Sequence, residues 1–236
     1  MLIGTHQKRS KFLDHGFPLF VSNQKLDNVT YEKILGVYLD NSLQYNVHID
    51  HVCKTLSRKI SALRRIKKYL PLQTRKLFYN AYIMPTIDYC LTIWGNTSRS
   101  NLDRVHKLQK RAARYILDAP PDAPSRPLFD ELDWLTVYEQ LTVNKYVLLY
   151  KSLFNYCPTY LHEMFKFQIN NQYTLRSESN VDLCVPIHKC KLFENSFQHS
   201  GAILWNALPV HIKMSPTLNT FKKQVKLYVK QCQNNL

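Results

Sequence analysis

The chain has 236 residues, with 32 lysines and arginines against 17 aspartates and glutamates, and only 5 glycines beside 11 prolines. Those glycines (Gly4, Gly16, Gly36, Gly95, Gly201) are too scattered for any two to share a phosphate-cradling loop, which excludes Walker-type and dinucleotide-binding sites. Hydrophobic residues at 45% suffice for a packed core of one or two domains, and a formal charge of +15 calls for a polyanionic partner.

The excess charge is one block. Residues 1–45 carry five basic and four acidic side chains, residues 46–116 fifteen and three, and residues 117–236 twelve and ten. Nucleic acid suits such a block better than an anionic membrane surface. The longest uncharged apolar stretch, Leu77 to Ile87, contains Pro85 and stops at Asp88, far short of the roughly 20 apolar residues of a membrane span. Six cysteines (Cys53, Cys90, Cys157, Cys184, Cys190, Cys232) show no paired spacing, and MLIGTHQKRSKF lacks the apolar run of a signal peptide. Reduced thiols and an intracellular location, nuclear or cytoplasmic, are expected.

In chain order, residues 1–40 read as short strands: MLIG, FPLFV, the turn signal Ser22-Asn23-Gln24, then VTYEKILGVYLD with its alternation and β-branched residues. From Val47 the period becomes helical. Val52, Leu56, Ile60, Leu63, Ile66 and Leu70 share one arc, with Lys54, Arg58, Arg64, Arg65 and Lys68 roughly opposite. Pro71 closes this helix and opens another, LQTRKLFYNAYIM, apolar nearly all round until Pro85 interrupts it, which places it in the middle of a bundle. After the loop NTSRSN, Ser100 and Asp103 resemble a capping pair for a third helix. It repeats the first design: Leu102, Val105, Leu108, Ala112 and Ile116 on one face, Arg104, Lys107, Lys110, Arg111 and Arg114 on the other.

DAPPDAPSRP reads as a linker. Beyond it, Thr136 and Glu139 form a capping box for a helix through about Phe154, followed by Pro158 and a short amphipathic YLHEMF. Residues 170–191 are mixed and polar. SFQHSGAILWNALP reads as a packed helix, and Ser215-Pro216 caps a last one carrying Lys222, Lys223, Lys226 and Lys230. The expected class is α+β but predominantly α: a β-hairpin region (1–45), a basic helical domain (46–117), a proline-rich linker (118–127) and a mostly helical C-terminal unit (128–236).

Two-metal phosphoryl transfer needs converging carboxylates, and the sequence contains no Asp-Asp pair. Asp130-Glu131 sits where acids favour a helix start. Tyr38-Leu39-Asp40-Asn41 imitates a polymerase Tyr-x-Asp-Asp turn, but its fourth residue is Asn. His48 and His51 have helical metal-ligand spacing without a third ligand, and Cys184, His188 and Cys190 lack a fourth; both sets read as structural. No nucleophile signature is present, so neither catalytic residues nor a metal or cofactor are expected. Two helices with opposed apolar and cationic faces suit a phosphate backbone. Lys54, Arg58, Arg65, Lys68, Arg104, Lys107, Arg111 and Arg114 are the candidate contacts, with an RNA-DNA or DNA duplex as partner and no membrane. Arg64-Arg65-Ile66-Lys67-Lys68 also reads as a nuclear import signal.

With those residues in view, the chain resembles the C-terminal part of the reverse transcriptase polyprotein of non-LTR, LINE-type retrotransposons of the jockey and CR1-like group. Lys33 through Val37 with Asp40 is similar to that family's Leu-Gly-Val hairpin, which implies a primer-supporting role for Leu35, Gly36 and Val37. HIDHVCKTLSRKISALRRIKKYLP, RKLFYNAYIMPTIDYCLTIWG and LQKRAARYI resemble thumb helices. Pro127-Leu128-Phe129, Leu132-Asp133-Trp134-Leu135, Pro158-x-Tyr160-Leu161, Leu175-Arg176-Ser177 and Trp205-Asn206-x-Leu208-Pro209 followed by Phe221-Lys222 resemble the tail of those polyproteins. Tyr45 stands where the family often has Trp, and Asn23-Gln24 replaces an Asn-Gly turn. The family's catalytic aspartates correspond to sequence upstream of Met1. The resemblance therefore implies a truncated reverse transcriptase that holds nucleic acid without polymerising it. The alternatives are an interaction or structural module, packing on a palm or another protein through exposed edges near Leu2 to Gly4 and Phe17 to Val21, a non-functional fragment, or part of an active polymerase.

Overall fold

The computed structural model describes residues 1–14, 18–168, 181–187 and 191–234. The chain is mostly helical, with two small antiparallel hairpins near its N-terminus. It divides into two compact units, Met1–Val137 and Tyr138–Leu236. Among the described residues no helix is long and apolar enough to cross a membrane.

The first unit starts with a helix where a strand is expected nearby. MLIG pairs with no strand; instead Gly4 N–H donates to Asn41 O at 3.1 Å. Helix α1 (His6–Asp14) follows, because Gln, Lys, Arg and Leu are good helix formers and Thr5 starts the first turn, its carbonyl accepting from Arg9 N–H at 3.0 Å. Strands β1 (Phe20–Val21) and β2 (Gln24–Lys25) pair Val21 with Gln24. The turn is therefore two residues, Ser22 (φ 48°) and Asn23 (φ 63°), and Gln24 already belongs to the ladder. Two left-handed residues in succession match the twist of the flanking strands.

Strands β3 (Tyr31–Ile34) and β4 (Val37–Asp40) form the second hairpin, in register from Tyr31↔Asp40 to Ile34↔Val37. Its turn is again left-handed at both positions, Leu35 (φ 46°) and Gly36 (φ 85°). Asp40 then organises the descent into the next helix. Its Oδ1 accepts from Ser42 N–H (2.9 Å), Ser42 Oγ–H (2.6 Å) and Gln44 N–H (3.1 Å), and its Oδ2 from Tyr45 N–H.

Helix α2 (Asn46–Ile66) buries Ile49, Val52, Leu56, Ile60 and Leu63 against Leu102, Val105, Leu108, Ala112 and Ile116 of α6 (Arg99–Ile116), as periodicity predicts. Between them run α3 (Leu72–Phe78), a π-helical turn (Tyr79–Ile83), α4 (Met84–Asp88) and the short α5 (Leu91–Trp94). Pro85 does not end this helical run. Proline lacks an N–H and its ring clashes with the carbonyl four residues back; the wider turn answers both, with Met84 N–H reaching back five residues to Tyr79 O. Nor is the run central to a bundle: Tyr79, Ile83 and Ile87 are buried, while Leu77 is 65% exposed and Tyr82 50%.

Other helix starts are displaced from expectation by a residue or two. Ser98, not Ser100, caps α6, its Oγ accepting from Asn101 N–H at 3.4 Å, while Asp103 pairs with Arg99. Helix α7 (Ser125–Glu131) already begins inside the proline-rich segment and ends rather than begins at Asp130-Glu131, and Asp130 pairs with Arg126 at 3.4 Å. Trp134 folds back to stack on Tyr79 with centroids 3.5 Å apart, and Phe129 meets it edge-on. Buried Gln109 locks this corner: its Nε2 donates to Leu135 O (2.9 Å) and Tyr79 Oη (3.2 Å), and its Oε1 accepts from Val137 N–H (3.0 Å).

The second unit contains α8 (Val137–Leu153) from its second residue on, α9 (Thr159–His162), α10 (Lys191–Glu194), α11 (Phe197–Asn206), α12 (Val210–Lys213) and α13 (Leu218–Asn234). Tyr150, Trp205 and Phe221 stack through its core. Gly201 makes room there, since a Cβ would fall 2.9 Å from Leu149 Cδ2. Lys213 is buried and pairs with Asp182 at 2.7 Å. Thr217 starts α13, its Oγ1 accepting from Thr220 N–H at 3.2 Å, in place of the expected Ser215-Pro216. Leu175-Arg176-Ser177 lies outside the described residues.

Candidate nucleic-acid interface

The two cationic helices are parallel neighbours, a relation their separate periodicities leave open. At their N-terminal ends Asn101 Nδ2 donates to Asn46 Oδ1 (2.7 Å), and one turn on Arg104 Nη2 meets Asp50 Oδ1 (2.5 Å). At their C-terminal ends the Lys67 ammonium lies 5.6 Å from the Tyr115 ring centroid and pairs with Asp118. Both helices thus run the same way for about 30 Å, at 1.5 Å per residue over 21 and 18 residues.

These cross-links mark one flank of the pair. On α2, Lys54 and Arg64 project within about 40° of Asp50, and Arg58 and Arg65 within about 80°. On α6, Lys107, Arg111 and Tyr115 lie within about 60° of Arg104. Two rows of cations therefore stand side by side. Lys54, Arg58, Arg65, Lys68, Arg104, Lys107 and Arg111 are exposed and Arg114 half-buried.

Their freedom differs. Among the described residues, Lys54, Arg58, Arg65, Lys107 and Arg111 take part in no salt bridge. Arg104 is engaged by Asp50 and by Asn101 Oδ1 (3.4 Å). Arg114 braces the chain beyond its own helix, its Nε and Nη2 donating to Ala123 O at 3.2 and 2.9 Å. Lys68 lies over the ring of exposed Tyr69, 4.8 Å from its centroid.

Sequence reasoning missed the recess at the C-terminal end of α6. Lys107, Lys110, Arg111 and Arg114 line it with Tyr115, Ala119 and Pro121, around a volume of about 510 Å³. Lys110 belongs to the cationic face and Tyr115 follows Arg111 by one turn, so both are legible in the sequence. Ala119 and Pro121 are not, because their place depends on how the chain turns after α6. Asp118 is equally silent. It accepts from Lys67 and Arg75, and these two bonds hold its carboxyl below the usual carboxylate range.

Leu35, Gly36 and Val37 sit at a hairpin tip that is anchored elsewhere. Tyr89 Oη donates to Leu35 O at 2.6 Å, Val37 is buried, and the Leu35 side chain is 86% exposed. A Cβ on Gly36 would meet the Tyr89 ring at 3.4 Å. Tyr45, in left-handed conformation at φ 60°, is buried at the entry to α2.

The titratable groups that looked like chemistry have structural surroundings. Burial raises the Asp40 pKa, but the bonds from Ser42, Gln44 and Tyr45 outweigh it and leave the carboxyl below its ordinary value. His48 is buried against Trp94 and Tyr38, and its Nδ1 accepts from Tyr38 N–H at 3.4 Å. Burial, then the nearby His51, pushes its pKa down to about 4. Among the described residues no cluster of three His, Cys, Asp or Glu side chains could hold a metal. Cys184 lies at the surface with its Sγ 3.7 Å from Phe167 O, while His188 and Cys190 lie outside the described residues.

No family model matches this sequence, and no solved structure matches it significantly. Curated relatives do. Over 128 residues the chain is 29% identical to the Drosophila melanogaster protein named "Probable RNA-directed DNA polymerase from transposon BS", covering 53% of this chain and 14% of that protein. Over 102 residues it is 31% identical to the RNA-directed DNA polymerase from mobile element jockey of Drosophila funebris, covering 42% of this chain and 11% of the relative. A third, from transposon X-element of Drosophila melanogaster, is 24% identical over 127 residues, 52% of this chain and 14% of its own length. The chain thus has a distant, partial similarity to the RNA-directed DNA polymerases of non-LTR retrotransposons and spans a small fraction of their length.

Proposed function

We propose that this chain is the nucleic-acid-holding part of a retrotransposon reverse transcriptase, gripping an RNA-DNA or DNA duplex by its phosphates and carrying no polymerase chemistry of its own. The observation that carries the reading is the paired cationic flank of α2 and α6, on a stretch with fifteen basic and three acidic residues. Each phosphate neutralised there releases counterions, so binding is independent of sequence and falls steeply with salt. In the same reading residues 46–117 are the thumb, the Leu35-Gly36-Val37 tip supports a primer end, and residues 128–236 are a tail. The absence of paired aspartates in the sequence and the commitment of Asp40 to its own loop support the non-catalytic part.

The test is retention on heparin and duplex affinity against salt, for wild type and for a variant with Lys54, Arg58, Arg65, Lys68, Arg104, Lys107, Arg111 and Arg114 changed to Glu. Wild type is expected to elute far later; equal retention removes the proposal. Primer extension by the purified chain with Mg²⁺ or Mn²⁺ would overturn the non-catalytic part.

A second reading has its own observation. Leu19, Phe20 and Val21 are 54%, 60% and 59% exposed on a hairpin of two-residue strands, a surface suited to another protein. Size exclusion with light scattering separates the two readings: a clean monomer at high concentration counts against an association module.

A further inference from the structure

The recess at the end of α6 differs from the rest of the cationic flank, and we propose that it receives one unpaired nucleotide of a single-stranded tail, with the base against Tyr115 and Pro121 and the adjoining phosphate on Lys107 and Arg111. This rests on the nucleic-acid reading above and gives it a polarity, because the recess lies along the C-terminal half of α6 and the chain that follows it.

Its composition carries the argument. A duplex backbone presents phosphates to a row of cations and needs no concavity. Here the cations Lys107, Lys110, Arg111 and Arg114 line a hollow together with Tyr115, Ala119 and Pro121. An aromatic wall beside a cationic rim suits a base with its phosphate, since any base offers a π-face for stacking. The hollow, about 510 Å³, falls within the range of small-molecule sites.

Part of the wall is fixed in advance. Arg114 holds the far side by its two bonds to Ala123 O. Lys67 lies at the Tyr115 ring and is itself held by Asp118, which Arg75 also engages. Arg75 in turn donates to Ile116 O at 3.0 Å and Leu70 O at 2.8 Å, closing the end of α6. Asp118, which precedes Ala119, is thereby occupied, and no salt bridge among the described residues engages Lys107, Lys110 or Arg111. Arg114 and the Lys67 at the Tyr115 ring are thus held before a nucleotide enters, and the ordering cost on binding is confined to the unpaired cations.

The experiment compares three DNA probes by fluorescence anisotropy at one salt concentration: a blunt duplex, the duplex with a short single-stranded tail, and the duplex with the same tail made of abasic sugars. Phosphate count is equal in the last two, so their ratio isolates the base. The base-bearing tail is expected to bind at least about fivefold more tightly than the abasic one, the lower end of aromatic stacking on one base. Tyr115→Leu should bring that ratio close to one. Should that variant fail to fold, 2-aminopurine at the first unpaired position supplies a readout on wild type, quenched on binding if it stacks. Equal affinity for both tails, or an unquenched probe, overturns the inference and leaves the duplex reading intact. No measurable binding to any of the three defeats the duplex reading itself.

Discussion

At the scale of single residues, the cations of the flank are unequal in ways a charge count hides. Arg111 has no carboxylate partner among the described residues, whereas Arg104 is already engaged with Asp50. Arg111→Ala is therefore expected to lower the salt slope of duplex binding by about one, and Arg104→Ala by less, as measured by titrations across a salt series. His48 gives a pH prediction. Unfolded histidine protonates near 6.5, but the buried ring resists until about 4. The unfolded state therefore binds the extra proton first, and stability is lost as pH falls from about 6.5 towards 4, by roughly 2 to 3 kcal/mol. Protonation would also place a hydrogen on Nδ1, facing the Tyr38 N–H that it accepts from. Asp40 and Asp118, both lowered, lose their stabilising effect only below the ordinary carboxylate value of 3.8, outside that window. His48→Asn, which keeps an acceptor near the Nδ1 position, should flatten the acid limb between pH 6.5 and 4 in urea denaturation; an unchanged limb refutes the assignment.

Elements differ in how much of their form is local. The facing stripes of α2 and α6 follow from the 3.6-residue period and are readable at once, because burial of one helical face obeys spacing alone. Their caps are not, since NTSRSN offers two serines and only Ser98 has the extended backbone (ψ 153°) that lets its Oγ reach Asn101 N–H. Ser98→Ala should cost about 1 kcal/mol in thermal unfolding, and Ser100→Ala markedly less. The β3–β4 hairpin shows the same division. The alternation of VTYEKILGVYLD shows strand, but Tyr89, far away in sequence, is what fixes the Leu35-Gly36 tip by bonding Leu35 O. Gly36→Ala combines a left-handed φ of 85° with a close approach to that ring, and is expected to destabilise by about 1 to 2 kcal/mol.

For the molecule as a whole, the charge block becomes an oriented surface because α2 and α6 run parallel. Antiparallel helices would bring each row of cations to the other's opposite end; here Asp50 meets Arg104 and Lys67 meets Tyr115. The recess therefore has one location on the flank, and the flank has a direction. Reversing the charge of only Lys54 and Arg58 is expected to weaken blunt-duplex binding while leaving the ratio between base-bearing and abasic tails unchanged, a separation measurable with the same three probes.

Composition, period and short motifs were enough for the broad class, the two amphipathic cationic helices, the absence of nucleotide-binding glycine loops, and the resemblance to retrotransposon polymerases. All of these are local properties of the chain. They leave open which way the helices run against each other, that Pro85 is absorbed by a π-helical turn, and that the chain after Asp118 walls a recess beside Tyr115. Those outcomes hang on contacts between residues tens of positions apart, such as Asp50 with Arg104 and Arg75 with Asp118. Partners so distant in sequence leave no periodic trace, and only tertiary packing selects them.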